Sequence, residues 1–550
     1  MFDLTVPDLR DARLDALDAA GEAWLALARH AENLSSDAVT EVSRPLHASG
    51  WDGAAAQSAF GSIDKLEDKF ELTAMRCRTM GTMLTGAADS LRGLQLQLRA
   101  LLDSAATQDC AVSDDGRVSP PPLSHAEIHD PDRAELTAQR TAAAAGLAQQ
   151  IKDVLARASD IDADCAAALA KMDVISGTRP YEFGATSEDA RAAAGALGLA
   201  EAGIPAPGDS RVAHAWWEAL TPQQRHLYAT AWPEKVGALD GLPAVDRDYA
   251  NQLGLRNLIG DDINRGHGED TIRHQRALML LEKLESAEHG PQDKRMYLLS
   301  VDLDQDGKAV VAVGNPDTAD RTGILVPGVG TEVDGIRGLV GRASDIQSQA
   351  MKLAPGTSVA MIGWLGYDTP DADSVDVVTA PFGDKSQAGA TALDSFVNGL
   401  HASHEGGGAH ITAIGHSYGS TVLGEAAKAG DGLNVVDMVA VGSPGMRVEH
   451  AGEFNVPAQH VWAGAAVDDN FVARPENSTL GDFFFGDDIA EIHGPGPHYP
   501  QFGGNVLSID TSGHSGYWDD NSQSLRSQAA IVLGDGYYEH ATLESGKAPS

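Results

Sequence analysis

The chain has 550 residues, enough for more than one hydrophobic core, and its 43% hydrophobic content belongs to a globular protein and not a disordered one. Asp and Glu number 79 against 40 Lys and Arg, a formal charge of −39 spread along the whole sequence. That balance argues against nucleic acid and anionic membrane as partners, because phosphate surfaces demand clustered Lys and Arg.

Helical periodicity runs from about Asp8 to Leu46 and again from Ala54 to about Thr107, with His47-Ala48-Ser49-Gly50-Trp51-Asp52-Gly53 as the turn between them. Turn material follows at Asp114-Asp115-Gly116 and Pro120-Pro121-Pro122, and a further helix is expected from about Arg133 to Met172. The predicted organisation is an all-α helical domain at 1–175, a Gly/Pro-bearing linker at 176–210 and a helical lead-in segment at 211–288.

Past Pro291 the texture changes. Tyr297 to Asp302 and Ala309 to Val313 form a predicted hairpin around Asp306-Gly307. Asp302-Leu303-Asp304-Gln305-Asp306-Gly307 imitates the opening of a calcium loop, but its twelfth position is Val313 and not Glu, so no metal is expected there. Short apolar runs follow at Gly323–Val326, Ser358–Trp364, Ile411–Ile414, Val435–Val441, His460–Ala463 and Val506–Ile509, most of them separated by helix-length segments. Continuous apolar strands alternating with helices predict a parallel sheet covered on both faces across 289–550. The expected fold is an α/β hydrolase fold, a mostly parallel central sheet flanked by helices, preceded by an all-α helical-hairpin or bundle domain.

Gly415-His416-Ser417-Tyr418-Gly419-Ser420 follows the run Ile411 to Ile414. Gly-x-Ser-x-Gly between a strand and a helix is a nucleophile elbow, whose glycines make room for a tight turn that projects the serine. A serine nucleophile needs a base, and an acid to hold that base in the right tautomer. The strand ending at Gly464 runs into Asp468-Asp469, and the last strand ends before Gly513-His514-Ser515-Gly516, so acid and base follow the serine in the order an α/β hydrolase requires. The expected triad is Ser417, Asp469 and His514, with Asp468 as the alternative acid; His493 and His498 are less favoured bases because they precede the final strand. For the oxyanion, the expected donors are the amides of Tyr418 and of Val329, in the loop Val326-Pro327-Gly328-Val329-Gly330-Thr331. Gly328, Trp364, Tyr367 and His416 are the expected substrate-binding residues, and the segment from Arg474 to Gly503 a cap.

From roughly Val212 to Trp518 the chain resembles a family of actinobacterial α/β hydrolases of unassigned substrate. The resemblance rests on Trp216-Trp217-x-x-Leu220-Thr221-Pro222, Pro233-Glu234, Leu239-Asp240-Gly241-Leu242-Pro243, Arg247 and Asn251 in the lead-in. It continues through Pro327-Gly328-Val329-Gly330-Thr331, Trp364-Leu365-Gly366-Tyr367, the elbow, Gly442-Ser443-Pro444-Gly445 and Gly513-His514-Ser515-Gly516-Tyr517. It implies Ser417 and His514 in their roles; its acidic position usually reads Asp-Pro-Val, whereas this chain has Asp469-Asn470-Phe471-Val472. The N-terminal hairpin is similar to the Trp-x-Gly hairpins associated with type VII secretion, although the Tyr-x-x-x-Asp/Glu export tag is missing after its second helix.

The expected activity is hydrolysis of a small-molecule acyl ester through an acyl-enzyme, without cofactor. The alternative is a non-catalytic, secretion-associated scaffold whose helical domain docks a helical partner. The first residues, Met1-Phe2-Asp3-Leu4, do not open a signal peptide, no run reaches membrane-spanning length, and Cys77, Cys110 and Cys165 lack metal spacing. A cytoplasmic location is therefore expected.

Overall fold

The computed structural model describes residues 4–172, 183–264, 271–288, 290–370, 383–469, 472 and 493–544. The chain divides into two compact units: residues 1–203 with 222–232, and residues 204–221 with 233–550.

The first unit is helical. Leu14–Asp37 and Ala54–Thr107 pack as a hairpin, and they approach closely where each carries glycine. A Cβ on Gly21 would lie 2.6 Å from Thr85 Cγ2, and one on Gly81 would lie 2.7 Å from Leu25 Cγ. The first helix does not continue as α-helix to Leu46: Ala38–Ser43 winds as a π-helix before Arg44–Ala48 resumes. The β-branched Val39, Thr40 and Val42 favour such a departure, and Thr40 Oγ1 bonds back to the Ser36 carbonyl at 2.9 Å. Trp51 lies exposed in the turn, edge-on to Phe60 with ring centroids 6.3 Å apart.

Arg133–Lys171 adds a long third helix. The stretch expected as linker contains a helix instead, Phe183–Ala196. Its prolines lie outside that span, and Ala190, Ala193 and Ala194 bury completely in a cluster with Met83, Ala87, Cys165, Leu227 and Ala231. Glycine and proline at its margins masked an alanine face small enough to pack closely.

The second unit is built on an eight-stranded mixed sheet. Its strands are β1 (Met296–Asp302), β2 (Lys308–Val313), β3 (Arg321–Val326), β4 (Val359–Leu365), β5 (Ile411–His416), β6 (Asp437–Val441), β7 (Val461–Gly464) and β8 (Asn505–Val506). The spatial order is β8-β7-β6-β5-β3-β4-β2-β1, with β1 and β2 antiparallel to each other, β2 antiparallel to β4, and the remaining pairs parallel. The residues of β4, β5, β6 and β7 are buried throughout, as expected of strands covered on both faces. One face packs on Gly383–Ser403 and Tyr418–Lys428, the other on Ile272–Glu288, Ile336–Leu353 and Gln523–Leu533.

The lead-in has a mechanical role at the sheet edge. The register of β1 on β2 slips between Leu298 and Ser300. There the helix Ala244–Asn264 supplies both missing partners: Asp248 Oδ1 accepts the Leu298 N–H at 2.8 Å, and Asn251 Nδ2 donates to the Leu298 carbonyl at 2.9 Å. A slipped edge would otherwise expose unpaired backbone groups. Trp217 is fully buried and donates Nε1–H to Asp246 at 2.9 Å, while Arg247 pairs with Asp240 at 3.0 Å. Among the described residues, no helix is long and apolar enough to cross a membrane.

Candidate active site

Parallel pairing sets four strand ends side by side. Val326 of β3 pairs with Gly415 of β5, His416 with Val441 of β6, and Val441 with Gly464 of β7. The loops leaving those ends therefore converge, where open α/β sheets generally place ligands. They carry Pro327–Val329, Ser417, Gly442 and Asp468–Asp469; the segment after β8 brings in His514.

Ser417 stands between β5 and the helix Tyr418–Lys428 with φ 53° and ψ −128°. A non-glycine residue at positive φ is strained, and here the neighbours enforce it. The Ser417 N–H donates to the Val441 carbonyl at 3.1 Å, and its carbonyl accepts from the Ser420 amide at 3.0 Å. The flanking glycines are needed for space: a Cβ on Gly415 would lie 2.6 Å from Ser420 Cα, and one on Gly419 2.3 Å from the Val326 carbonyl oxygen.

The two adjacent acids separate. Asp469 is fully buried, with its Oδ2 2.9 Å and Oδ1 3.1 Å from His514 Nδ1, whereas Asp468 Oδ1 accepts the Gly513 amide at 2.9 Å. His514 remains partly exposed. Tyr517 donates its hydroxyl to Asp469 Oδ2 at 2.6 Å and accepts the Ala466 amide at 3.2 Å. Its phenol is buried and pushed far above the ordinary range, by burial first and then by Asp469, so it stays a donor. The sequence left Tyr517 without a role, although an aromatic residue three positions past His514, in a short turn, was the available signal.

Gly328 lies against the serine: a Cβ there would be 2.6 Å from Ser417 Cβ and 3.1 Å from its Oγ. That contact places the loop bearing Val329 beside Ser417 and Tyr418. The next amide, Gly330, donates to the Pro370 carbonyl at 2.9 Å, and Tyr367 donates its hydroxyl to the Pro327 carbonyl at 2.7 Å. Tyr367 thus braces the loop from below. Trp364 is buried, 6.0 Å from the Tyr367 ring and 6.3 Å from Phe396, and lines a separate cavity of about 660 Å³ with Ser300, Val310 and Thr391.

His416 turns toward the loop that carries His514. Its Nε2 lies 2.8 Å from the main-chain carbonyl of His514, and its ring packs against His514, Tyr517 and Trp518. Burial, and after it the neighbouring His514, lowers its pKa to about 3, so the imidazole is neutral and carries its proton on Nε2. His493 packs edge-on to Tyr418, and His498 packs at a tilt against Tyr499. Most of the expected cap, including Phe483-Phe484-Phe485, lies outside the described residues.

Residues 302–478 match a family model described as alpha/beta hydrolase. An uncharacterized protein of Mycobacterium tuberculosis is 30% identical over 376 residues, covering 60% of this chain and 57% of the relative. An uncharacterized protein of Mycobacterium bovis is 36% identical over 169 residues, covering 30% of this chain and 61% of the relative. The match thus spans little more than half the length of these relatives. Ser417 and Asp469 fall within the family match, and His514 lies beyond it. With its mostly parallel sheet and strand–turn–helix at Ser417, the C-terminal part of this chain has the α/β-hydrolase fold.

Proposed function

We propose that the protein is a serine hydrolase that cleaves a carboxylic ester through an acyl-enzyme. The observation that carries this reading is the bond from His514 Nδ1 to buried Asp469, in a loop tied to the residue preceding strained Ser417.

Ser417 Oγ attacks the acyl carbon as His514 Nε2 takes its proton. Asp469 holds the imidazole in the Nδ1–H tautomer and stabilises the imidazolium. The amides of Tyr418 and Val329 donate to the oxyanion of the tetrahedral intermediate. Collapse breaks the ester C–O bond, and the leaving alkoxide takes the proton from His514. Water, deprotonated by His514, then attacks the acyl-serine; a second collapse releases the carboxylic acid and returns the proton to Ser417. The buried acid and the partly exposed base suit these steps, because the charge partner stays desolvated while the proton carrier reaches substrate.

The test is turnover of 4-nitrophenyl acyl esters with covalent labelling by a fluorophosphonate. Wild type should be labelled, and Ser417→Ala should lose both labelling and turnover. An unlabelled, inactive wild type, or labelling that persists in Ser417→Ala, overturns the proposal.

A further inference from the structure

We infer that His416, the residue immediately before the elbow serine, is a positioning residue for His514: its Nε2–H, donated to the main-chain carbonyl of His514, fixes the base loop relative to the nucleophile. The inference rests on the Ser417–His514–Asp469 assignment proposed above.

The two residues are 98 positions apart, and the 2.8 Å bond joins segments that share no strand pairing. Ser417 is one peptide unit from His416, so this bond ties the main chain beside the nucleophile to the main chain of the base loop. The base loop is thereby held at neighbouring points from different sides. Asp468 takes the Gly513 amide, His416 the His514 carbonyl, and Asp469 the His514 ring. Without the His416 bond, the main chain of His514 loses one of these holds while its ring still touches Asp469, and the direction of Nε2 toward Ser417 is less well fixed. A displacement of about 1 Å in such a pair costs on the order of 100-fold in rate.

The surroundings keep the donor in the required state. The His514 ring lies 4.8 Å from the His416 ring, Trp518 stands edge-on at 5.0 Å, and Tyr517 lies at 5.9 Å. From the helix Ile336–Leu353, the Arg342 guanidinium sits 4.6 Å over Trp518 and closes the far side with a positive charge. Asp469 is the acid that faces this group, and its ring partner is His514. A cation beyond and a base alongside disfavour a second proton on His416, and a neutral imidazole donating to a carbonyl has one usable tautomer. A side chain that merely filled space would need neither that tautomer nor that acceptor.

The test compares His416→Gln, which keeps a donor near the Nε2 position, with His416→Leu, which keeps bulk and loses the donor, in the full chain. On 4-nitrophenyl butyrate, His416→Leu should lower kcat and the rate of fluorophosphonate labelling about 10- to 100-fold with KM nearly unchanged, and His416→Gln should recover most of it. Amide hydrogen exchange over 513–517 should rise in His416→Leu and return toward wild type in His416→Gln. Unchanged kcat and unchanged exchange in a folded His416→Leu overturn the inference. So does equal loss in both variants in step with lowered Tm. If wild type proves unlabelled and inactive, the hydrolase proposal fails, and the exchange comparison alone still decides whether His416 holds the loop.

Discussion

Asp468 and Asp469 are adjacent in the chain yet hold consecutive residues of another loop by different atoms: Asp468 accepts the Gly513 amide, and Asp469 accepts from the His514 ring. Only the second contact acts on an imidazole. Asp469→Asn should therefore lower kcat by roughly 10⁴-fold, because an amide there favours the wrong tautomer. Asp468→Asn should cost no more than about 10-fold, since an amide oxygen still accepts a backbone N–H. Steady-state kcat on a chromogenic ester decides it, and the reverse ranking would make Asp468 the acid.

Tyr517→Phe removes a donor from buried Asp469 and an acceptor from the Ala466 amide. Losing a buried hydrogen bond to a charged group costs about 1.5–3 kcal/mol. Urea denaturation should register that loss. Activity should fall less than in Asp469→Asn, because the His514 bond remains. Full stability in Tyr517→Phe would mean that the hydroxyl contributes nothing to holding the acid.

What the sequence disclosed and what it hid divide along a physical line. Strands, the glycine-flanked turn at Ser417 and the loops that carry Asp469 and His514 were legible, because burial on both faces writes continuous apolar runs and a strained turn demands glycine at fixed offsets. The choice between Asp468 and Asp469 was not, since neighbouring side chains in a loop diverge by backbone angles that composition does not encode. His416 and Tyr367, expected to bind substrate, hydrogen-bond main-chain carbonyls, those of His514 and Pro327 respectively. Such partners lie 98 and 40 positions away, beyond any local pattern. The helix Phe183–Ala196 was missed for the opposite reason: local Gly and Pro outweighed an alanine face whose value appears only in packing.

Gly328→Ala tests the approach of the oxyanion loop to the serine. The new methyl would stand 2.6 Å from Ser417 Cβ and 3.1 Å from the His416 carbonyl oxygen, so loop or serine must shift. We expect kcat to fall about 100-fold with a modest change in Tm. Gly338→Ala, on a helix with nothing within 4 Å of the added carbon, is the control: it should leave kcat unaltered and raise stability by about 0.5–1 kcal/mol. Equal kcat for the two variants would separate this loop from the chemistry.

Stability of the second unit should decline on mild acidification. Burial lowers the pKa of His416 to about 3 and of His493 and His498 to about 4, against an ordinary 6.5. Each folded value lies below the unfolded one, so the unfolded chain takes up the proton first. Their contribution is intact above pH 6.5 and is lost as pH falls toward 4, at up to about 1.4 kcal/mol per histidine per pH unit. Asp248, raised by burial to about 6 from 3.8, acts in the opposite direction below pH 6, as do Asp317, Asp345 and Asp394, whose carboxyls burial also raises, while His410, lowered by burial, adds to the loss. Urea midpoints at pH 7.5, 6.0 and 5.0 should therefore fall steadily, and less steeply in His416→Gln. Identical pH profiles for wild type and His416→Gln from pH 7 to 5 would show that the His416 imidazole is not held neutral.

The elbow itself stores strain that can be measured. Ser417 adopts φ 53° and ψ −128°, a region glycine occupies freely and other residues enter at a cost of about 1–3 kcal/mol. Ser417→Ala removes the hydroxyl and keeps the strain, whereas Ser417→Gly removes both. The two variants should be equally inactive and equally resistant to fluorophosphonate. Relief of strain favours the glycine variant, while glycine's greater unfolded-state freedom opposes it by about 0.5–1 kcal/mol. With strain near the middle of its range, Ser417→Gly should exceed Ser417→Ala by about 1 kcal/mol in the urea transition of the second unit. If alanine proves the more stable, the backbone at 417 relaxes without its hydroxyl, and the serine, not the surrounding strands, enforces the turn.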